Sequence, residues 1–228
     1  MTFITNASQA AFDQMQSIRP ELSNAYRSIM ELLKLNPGAA SKLRGKNSPE
    51  VGTLDYIHIQ AAAFAASRNP RAPQAPSTIP DEMVSLILHE YFDLPIEDLN
   101  RAKQEHLLSM GAENLVGELL ERYLATYLEP RGWIWCSGSV VKAVDFIKPP
   151  HSSTDTWTLL QIKNRDNSEN SSSSAIRNGT TIKKWFRTYS KKTGTNWAAF
   201  PDATICPLVS EEGFKDFVSS YLLSLRAL

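Results

Sequence analysis

Apolar residues recur at helical spacing through the first half of the chain. Residues 8–18 and 21–35 place apolar side chains three or four positions apart, with Pro20 between them, and this pattern predicts two packed helices. The same spacing predicts further helices over 55–67, 81–92 and 96–109. Residues 41–52 are rich in turn formers and predict a loop, and four prolines within 67–80 predict an irregular connector. The first 110 residues therefore predict a helical region.

The pattern changes after Gly111. Residues 113–128 predict a strong amphipathic helix, which ends at Glu129-Pro130-Arg131-Gly132. Strands are predicted over 133–137, 140–147 and 156–163, followed by a helix over about 175–190, a strand near 203–209 and a helix from Glu211 to Leu228. This order predicts an α/β (α+β) fold with a helical N-terminal region, 1–110, and a core of helix, three to four strands and helix, 111–228.

Composition narrows the class of protein. Of the 228 residues, 42% are hydrophobic and 21% charged, values typical of a globular protein. The sequence has no apolar run of membrane-spanning length and no signal-peptide pattern at its start, so we expect a cytoplasmic protein without a membrane partner. The two cysteines, Cys136 and Cys206, do not form a disulfide or zinc-binding pattern.

Charge is distributed unevenly, although 24 basic residues balance 24 acidic ones. Residues 81–129 hold eleven acids and three bases, whereas residues 163–192 hold eight bases and two acids. Such runs are often solvated surfaces. The basic segment also contains Asn, Ser, Gly and Trp, which contact phosphates and bases, so it indicates a nucleic-acid partner.

Three polar residues in the predicted strands suggest a hydrolytic site. Asp145 lies in an otherwise apolar strand, where a carboxylate needs a metal ion or a cation as its partner. Gln161 and Lys163 are two positions apart and therefore share one face of their strand. Asp145 and the Gln161 amide oxygen suit Mg²⁺, and Lys163 would then stabilise charge on a phosphate. The alternative is a structural pair between Asp145 and a nearby Lys or Arg.

This arrangement resembles the PD-(D/E)xK nuclease superfamily, with Asp145 as its first acid and Gln161-Ile162-Lys163 in the (D/E)xK place. Val144 stands where that family often has proline, and Gln161 replaces its second carboxylate. The family commonly adds a glutamate from the preceding helix. Glu121 is the best match for it, and Glu118, one turn earlier, is the alternative.

A longer resemblance covers roughly residues 111–200. The segments GELLERYL, GWIWCSG, AVDFI, LLQIKNRDNSENSSSSAIRNGT and KKWFR are similar to the SinI-type family of type II restriction endonucleases. The resemblance implies an Mg²⁺-dependent enzyme that cuts both strands of a short palindromic DNA site, GGWCC in the SinI case. Its catalytic residues would be Asp145, Gln161, Lys163 and Glu121, with Asp145, Gln161 and Glu121 as metal ligands.

The residues after Lys163 suit recognition of double-stranded DNA. Arginine forks bond guanine, so Arg165, Arg177 and Arg187 are candidate base readers, whereas Lys183 and Lys184 are candidate phosphate contacts. Four asparagines could contact bases or phosphates: Asn164, Asn167, Asn170 and Asn178.

A palindromic site predicts a two-fold homodimer, with the N-terminal helices as the dimer surface or a DNA clamp. Two other functions stay open, namely a DNA-binding module with an inactive nuclease core and a repair-type nuclease.

Overall fold

The protein, seen here in a computed structural model, is described over residues 2–152, 154–166 and 181–226. In those ranges it forms six α-helices and one four-stranded sheet. The helices are α1 (Ala7–Ile18), α2 (Ser23–Leu35), α3 (Leu54–Ala66), α4 (Glu82–Glu90), α5 (Leu99–Leu128) and α6 (Glu211–Arg226). The strands are β1 (Ile134–Trp135), β2 (Phe146–Lys148), β3 (Thr158–Arg165) and β4 (Ile182–Thr188). The predicted α/β class is confirmed.

The sheet is mixed and has the strand order β1-β2-β3-β4. Strands β1, β2 and β3 pair antiparallel, and β4 pairs parallel with β3. Ile134, Ile147 and Leu159 are in register and share one face of the sheet. Their neighbours on the opposite face, including Phe146 and Leu160, belong to a different core, so the sheet separates two hydrophobic layers.

The first core lies between helices α1–α3 and the sheet face that carries Ile147. Tyr26 and Phe64 are fully buried there, and their rings lie 5.4 Å apart. The Tyr26 hydroxyl donates a hydrogen bond of 2.6 Å to the carbonyl of Ile57. The N-terminal helices therefore pack directly on the sheet.

The second core joins the C-terminal half of α5 and helix α6 to the opposite sheet face. Trp185 and Trp197 are 2% and 7% exposed, and their ring centroids are 5.0 Å apart. Of the two roles open to these tryptophans, base stacking and core packing, the structure shows core packing.

Two arginines fasten the N-terminal helices to the remainder of the chain. Arg122 of α5 donates to the carbonyls of Ser67, Arg68 and Asn69, where α3 ends. Arg68 donates to both carboxylate oxygens of Glu129, at 3.1 and 2.8 Å. Cations at a helix C-terminus complement its dipole, so these contacts also stabilise the end of α3.

Helix α5 runs unbroken for 30 residues, so the prediction of separate helices over 96–109 and 113–128 was wrong. The predicted boundary between 110 and 111 falls inside α5, and the division into two domains stays a prediction. A Cβ added to Gly111 would come within 2.7 Å of the carbonyl oxygen of Gln74. The glycine thus allows the proline-rich connector to cross the helix, and it does not end the helix.

Three further predictions of secondary structure were wrong. In the predicted strand 140–147 only Phe146–Lys148 pairs as β2, because Ala143 has a φ of 55° and turns the chain. A helix was predicted over 175–190, but residues 182–188 form β4, because they pair in parallel with β3. The predicted strand 203–209 is a turn with a 3-10 segment, Cys206–Leu208. Across the ranges that the structure covers, no helix is both long and apolar enough to cross a membrane.

Candidate active site

Asp145 is fixed by three hydrogen bonds immediately before β2. Its N–H donates to the carbonyl of Leu160 at 2.9 Å, and its carbonyl accepts from the N–H of Cys136 at 2.8 Å. Its carboxylate Oδ2 accepts a 2.6 Å hydrogen bond from the N–H of Ile162. The backbone of two neighbouring strands therefore determines where this carboxylate lies. The sequence predicted Asp145 inside a strand, whereas the structure places it just before β2.

Gln161 and Lys163, which both belong to β3, lie beside Asp145. The pairing of Phe146 with Leu160 places Asp145 next to Gln161 across the two strands. Gln161 is 1% exposed, which is unusual for an amide side chain. Asp145, Gln161 and Lys163 line the same cavity of about 960 Å³. Gln161 and Lys163 thus face the same space, as the period of two along β3 predicted.

Glu121 reaches this cavity from α5. Its carboxylate Oε2 accepts a hydrogen bond of 2.8 Å from the indole N–H of Trp135. The structure therefore brings together all four residues proposed for catalysis: Glu121, Asp145, Gln161 and Lys163. Their roles stay a prediction, whereas their proximity is a property of the fold.

Glu118 lines the same cavity but has different partners. Its Oε1 accepts from the Nε and Nη2 of Arg122 at 2.9 and 2.7 Å, and its Oε2 accepts from Arg71 at 3.3 Å. Two guanidinium groups thus compensate its charge, whereas the direct partner of Glu121 is a neutral indole. This difference favours Glu121 as the helix acid of the site.

The two site carboxyls have raised pKa values. Burial, followed by the negative charge of Asp145, raises the pKa of Glu121 from 4.5 to about 8. Burial also raises the pKa of Asp145 from 3.8 to about 6, although the Ile162 N–H and Lys163 act in the opposite direction. The positive charge near each carboxylate therefore does not compensate for the effect of burial.

The donor groups fit a hard divalent cation. Two carboxylates with raised pKa values and a buried amide oxygen are the oxygen ligands that Mg²⁺ accepts, and a cation would compensate both charges. Over the described ranges no three Asp, Glu, His or Cys side chains gather as a metal cluster. The third ligand would therefore be the Gln161 amide, with water or substrate completing the shell.

A second cavity of about 600 Å³ extends the first one along β3. The two cavities share Asn114, Gly117, Glu121 and Lys163. A Cβ added to Gly117 would meet no atom within 4 Å, so the helix presents open space here. Arg165 is exposed at the far end of the second cavity. The site thus lies within an extended cleft.

The residues predicted to bind DNA are in different environments. Lys183 is exposed on β4, and Lys184 pairs in register with Gln161. Strand β4 thus carries both lysines, whereas the sequence predicted a helix there. Asn167, Asn170, Arg177 and Asn178 lie outside the described residues.

Arg187 and Asn164 belong to an internal network. The Nε of Arg187 donates to Asn164 Oδ1 at 3.0 Å, and its Nη1 forms an ion pair with Glu211 of α6. The Arg187 guanidinium also lies 5.0 Å from the ring centroid of Phe214. Arg187 therefore fastens α6 to the sheet, and a contact with DNA would have to compete with this pairing.

Several cleft residues could not be found from the sequence. Arg71 and Asn69, in the irregular segment after α3, line the first cavity together with Ser137 and Lys142. Trp135, which fixes Glu121, appeared only as one apolar residue of a predicted strand. No local pattern in the sequence marks these positions, because tertiary packing brings them to the cleft.

Comparison with known proteins shows what the whole chain is similar to. Residues 7–224 match the family model described as SinI restriction endonuclease. The chain is 51% identical over 225 residues to a type II restriction enzyme of Escherichia coli, Eco47I, and to one of Salmonella infantis, SinI. Each match covers 98% of this chain and 97% of the relative.

Proposed function

The chain belongs to the SinI restriction endonuclease family, and from this premise we propose that it makes Mg²⁺-dependent double-strand cuts at a short palindromic DNA site. The enzyme is a type II site-specific deoxyribonuclease. The resemblance to SinI further suggests GGWCC as the site, where W is A or T. The proposal includes a cytoplasmic homodimer, since a palindrome presents the same half-site twice.

One observation supports the reaction most directly. Glu121 and Asp145 bring two incompletely compensated carboxylates to one cavity that also holds Gln161 and Lys163. A buried structural aspartate would need only one cation beside it, whereas here a second carboxylate, with its own raised pKa, faces the same space. Together these groups provide both a cation site and a separate positive charge.

Mg²⁺ held by Asp145, Glu121 and Gln161 would neutralise phosphate charge and lower the pKa of a bound water. The Ile162 N–H keeps the Asp145 carboxylate in one orientation, and the Trp135 indole does the same for Glu121. Both ligands are therefore preorganised, which lowers the cost of ordering them when substrate binds.

Lys163 provides a positive charge that can interact with a phosphate. It follows Gln161 on the same strand face and lines both cavities, so its ammonium can meet a phosphate placed along the cleft. There it stabilises the negative charge that develops on the phosphate and orients the attacking water. Arg165, further along β3, adds a second cation to the cleft.

Cleavage of plasmid DNA tests the proposal. A plasmid with one GGWCC site is incubated with the enzyme in Mg²⁺, in Ca²⁺ and in EDTA, and the ends are sequenced. We expect one linear product in Mg²⁺ alone, and no cut when the site is altered by one base pair. Cutting at another sequence would refute the site but not the nuclease. Retention of DNA without cutting would support the inactive binding module.

A further inference from the structure

Most of the exposed large hydrophobic side chains lie in one segment, residues 79–110, which we name the arm. Throughout the described chain sixteen large apolar residues are exposed, and ten of them belong to the arm. They are Ile79, Met83, Val84, Leu86, Ile87, Tyr91, Phe92, Ile96, Leu108 and Met110. Every residue of the arm is described, and none is buried.

Helix α4 is apolar in composition yet has no buried residue. Four of its nine residues are exposed hydrophobics, and Tyr91 and Phe92 follow at 79% and 65% exposure. Its apolar residues form one wide face opposite Ser85 and His89, and such a face normally packs against another element. A water-exposed patch of this kind marks a surface that another protein covers.

The arm is nevertheless an ordered unit. Asp81 caps α4 by accepting from the N–H of Met83 at 2.9 Å. Leu94 closes the turn after α4, because its N–H donates to the carbonyl of Leu88 and its own carbonyl lies 2.9 Å from His89 Nδ1. The apolar side chains of α4 are therefore held on a capped helix, and an ordered turn follows it on the way to α5.

We infer that the arm is the surface through which two copies of this chain associate, arm against arm. The ten side chains expose roughly 100 Å² each, about 1,000 Å² in total, which is enough for the ~800 Å² per partner of a standard stable interface. The choice of a second copy rests on the proposed function, since cutting a palindrome on both strands needs two identical sites.

Charge excludes DNA as the occupant of the arm. Residues 79–110 contain seven acids and two bases, Arg101 and Lys103, and phosphates would be repelled. Arg101 is also engaged within its own helix, where it pairs with Asp98 and Glu105 at 3.3 and 3.7 Å. Two acidic arms also repel each other, so apolar contact must outweigh this repulsion. Salt screens the repulsion and should strengthen the association, which is the opposite of its effect on DNA binding.

Helix α5 connects the arm directly to the site. Leu108 and Glu121 lie on the same unbroken helix, thirteen positions apart, which corresponds to about 20 Å along its axis. Pairing through the arm would therefore fix the distance between the two Glu121 carboxylates of a dimer. This is the geometric condition for two coordinated cuts.

Phe92→Glu is the test, with Leu223→Glu as the matched control, because both native side chains are 65% exposed and Leu223 lies on α6. In sedimentation velocity without DNA we expect wild type and Leu223→Glu to be dimers. The dissociation constant of Phe92→Glu should rise at least about 100-fold, since a charge in an apolar interface is left unpaired. Raised salt should tighten the wild-type dimer.

Hydrogen exchange of the wild type provides a check that does not depend on the variant's folding. Amides of 82–110 should exchange more slowly as protein concentration rises. A monomer at all concentrations, dimerisation of Phe92→Glu as tight as that of the control, or a dimer weakened by salt would overturn the inference. Both experiments are done without DNA and therefore do not depend on nuclease activity. If the protein dimerises through the arm but does not cut plasmid in the separate cleavage assay, that result would count only against the proposed function.

Discussion

The indole N–H of Trp135 donates a 2.8 Å hydrogen bond to the carboxylate of Glu121, and this bond joins β1 to α5 at the floor of the cleft. The guanidinium carbons of Arg68 and Arg122 lie 5.1 and 5.3 Å from the Trp135 ring. The arginines hold the ring by cation–π contacts, and the ring in turn holds the acid. We therefore expect Trp135 to act as a positioning residue for Glu121.

Replacing Trp135 by Phe should keep an aromatic ring beside the two arginines and remove the hydrogen-bond donor. We expect cleavage to slow by about 10- to 100-fold and the Mg²⁺ concentration for half-maximal rate to rise, as when other partners of metal ligands are lost. Trp133→Phe is the control, because its indole N–H donates to Asp202. An unchanged Mg²⁺ requirement would show that Trp135 acts through stability alone.

Asp145→Ala and Lys163→Ala should each reduce cleavage by at least about 1,000-fold, because both groups act on charge at the phosphate. Binding to the recognition duplex in Ca²⁺ should persist, since neither residue is expected to read bases. Gel shift and cleavage of the same labelled duplex measure the two effects. Cutting by either variant at the wild-type rate would exclude this site.

The two acids of α5 should rank unequally. Glu121→Ala should lose most activity, whereas Glu118→Ala should lose less, because Glu118 is already paired with Arg71 and Arg122. Glu118→Ala should instead destabilise the protein by about 1 kcal/mol, since it leaves a largely buried Arg122 without its carboxylate. Cleavage rates and melting temperatures separate the two effects, and the reverse ranking would move the helix ligand back by one turn.

Stability without metal should decrease as pH rises. Folding raises the pKa of Glu121 to about 8 and that of Asp145 to about 6. Stability is therefore full below about pH 4, the unfolded pKa, and is lost as pH rises through the folded values. Glu121→Gln should melt about 3 °C or more above the wild type at pH 8.5 and like it at pH 4. Adding Mg²⁺ at pH 8.5 should remove the difference by stabilising the wild type.

Arg187 and Arg165 were both predicted to read bases, but their replacement should have different effects on stability and DNA binding. Arg187→Ala should cost about 1 to 3 kcal/mol of folding free energy, because it leaves the partly buried Glu211 carboxylate without its ion-pair partner, although the Trp197 indole N–H still donates to it. Arg165→Ala, at an exposed position, should leave stability within ~0.5 kcal/mol and weaken discrimination at one base pair by about 1 to 3 kcal/mol. Denaturant unfolding and competition binding against single-base variants measure these effects.

Local patterns were sufficient to predict much of the fold and most of the site. The spacing of apolar residues predicted α1, α2, α3 and α6 to within a few residues, and the period of two placed Gln161 and Lys163 on one face. Strand β4 was missed because its partner β3 is distant in sequence, and pairing with it overrides the local helical pattern of Lys183 and Lys184. The predicted helix boundary at Gly111 was wrong for a similar reason. The segment that packs against Gly111 contains Gln74, which is distant in sequence, so no local pattern indicates this contact.

Because α5 is unbroken, its length sets both the distance and the relative rotation between the arm and the site. Each residue added between Leu108 and Glu121 would turn the two ends of the helix by about 100° relative to each other and lengthen it by about 1.5 Å. A single insertion would therefore point the arm and the site in incompatible directions, whereas seven residues would nearly restore the original orientation. Chimeras of related enzymes joined within this helix should function only when the junction preserves helical phase.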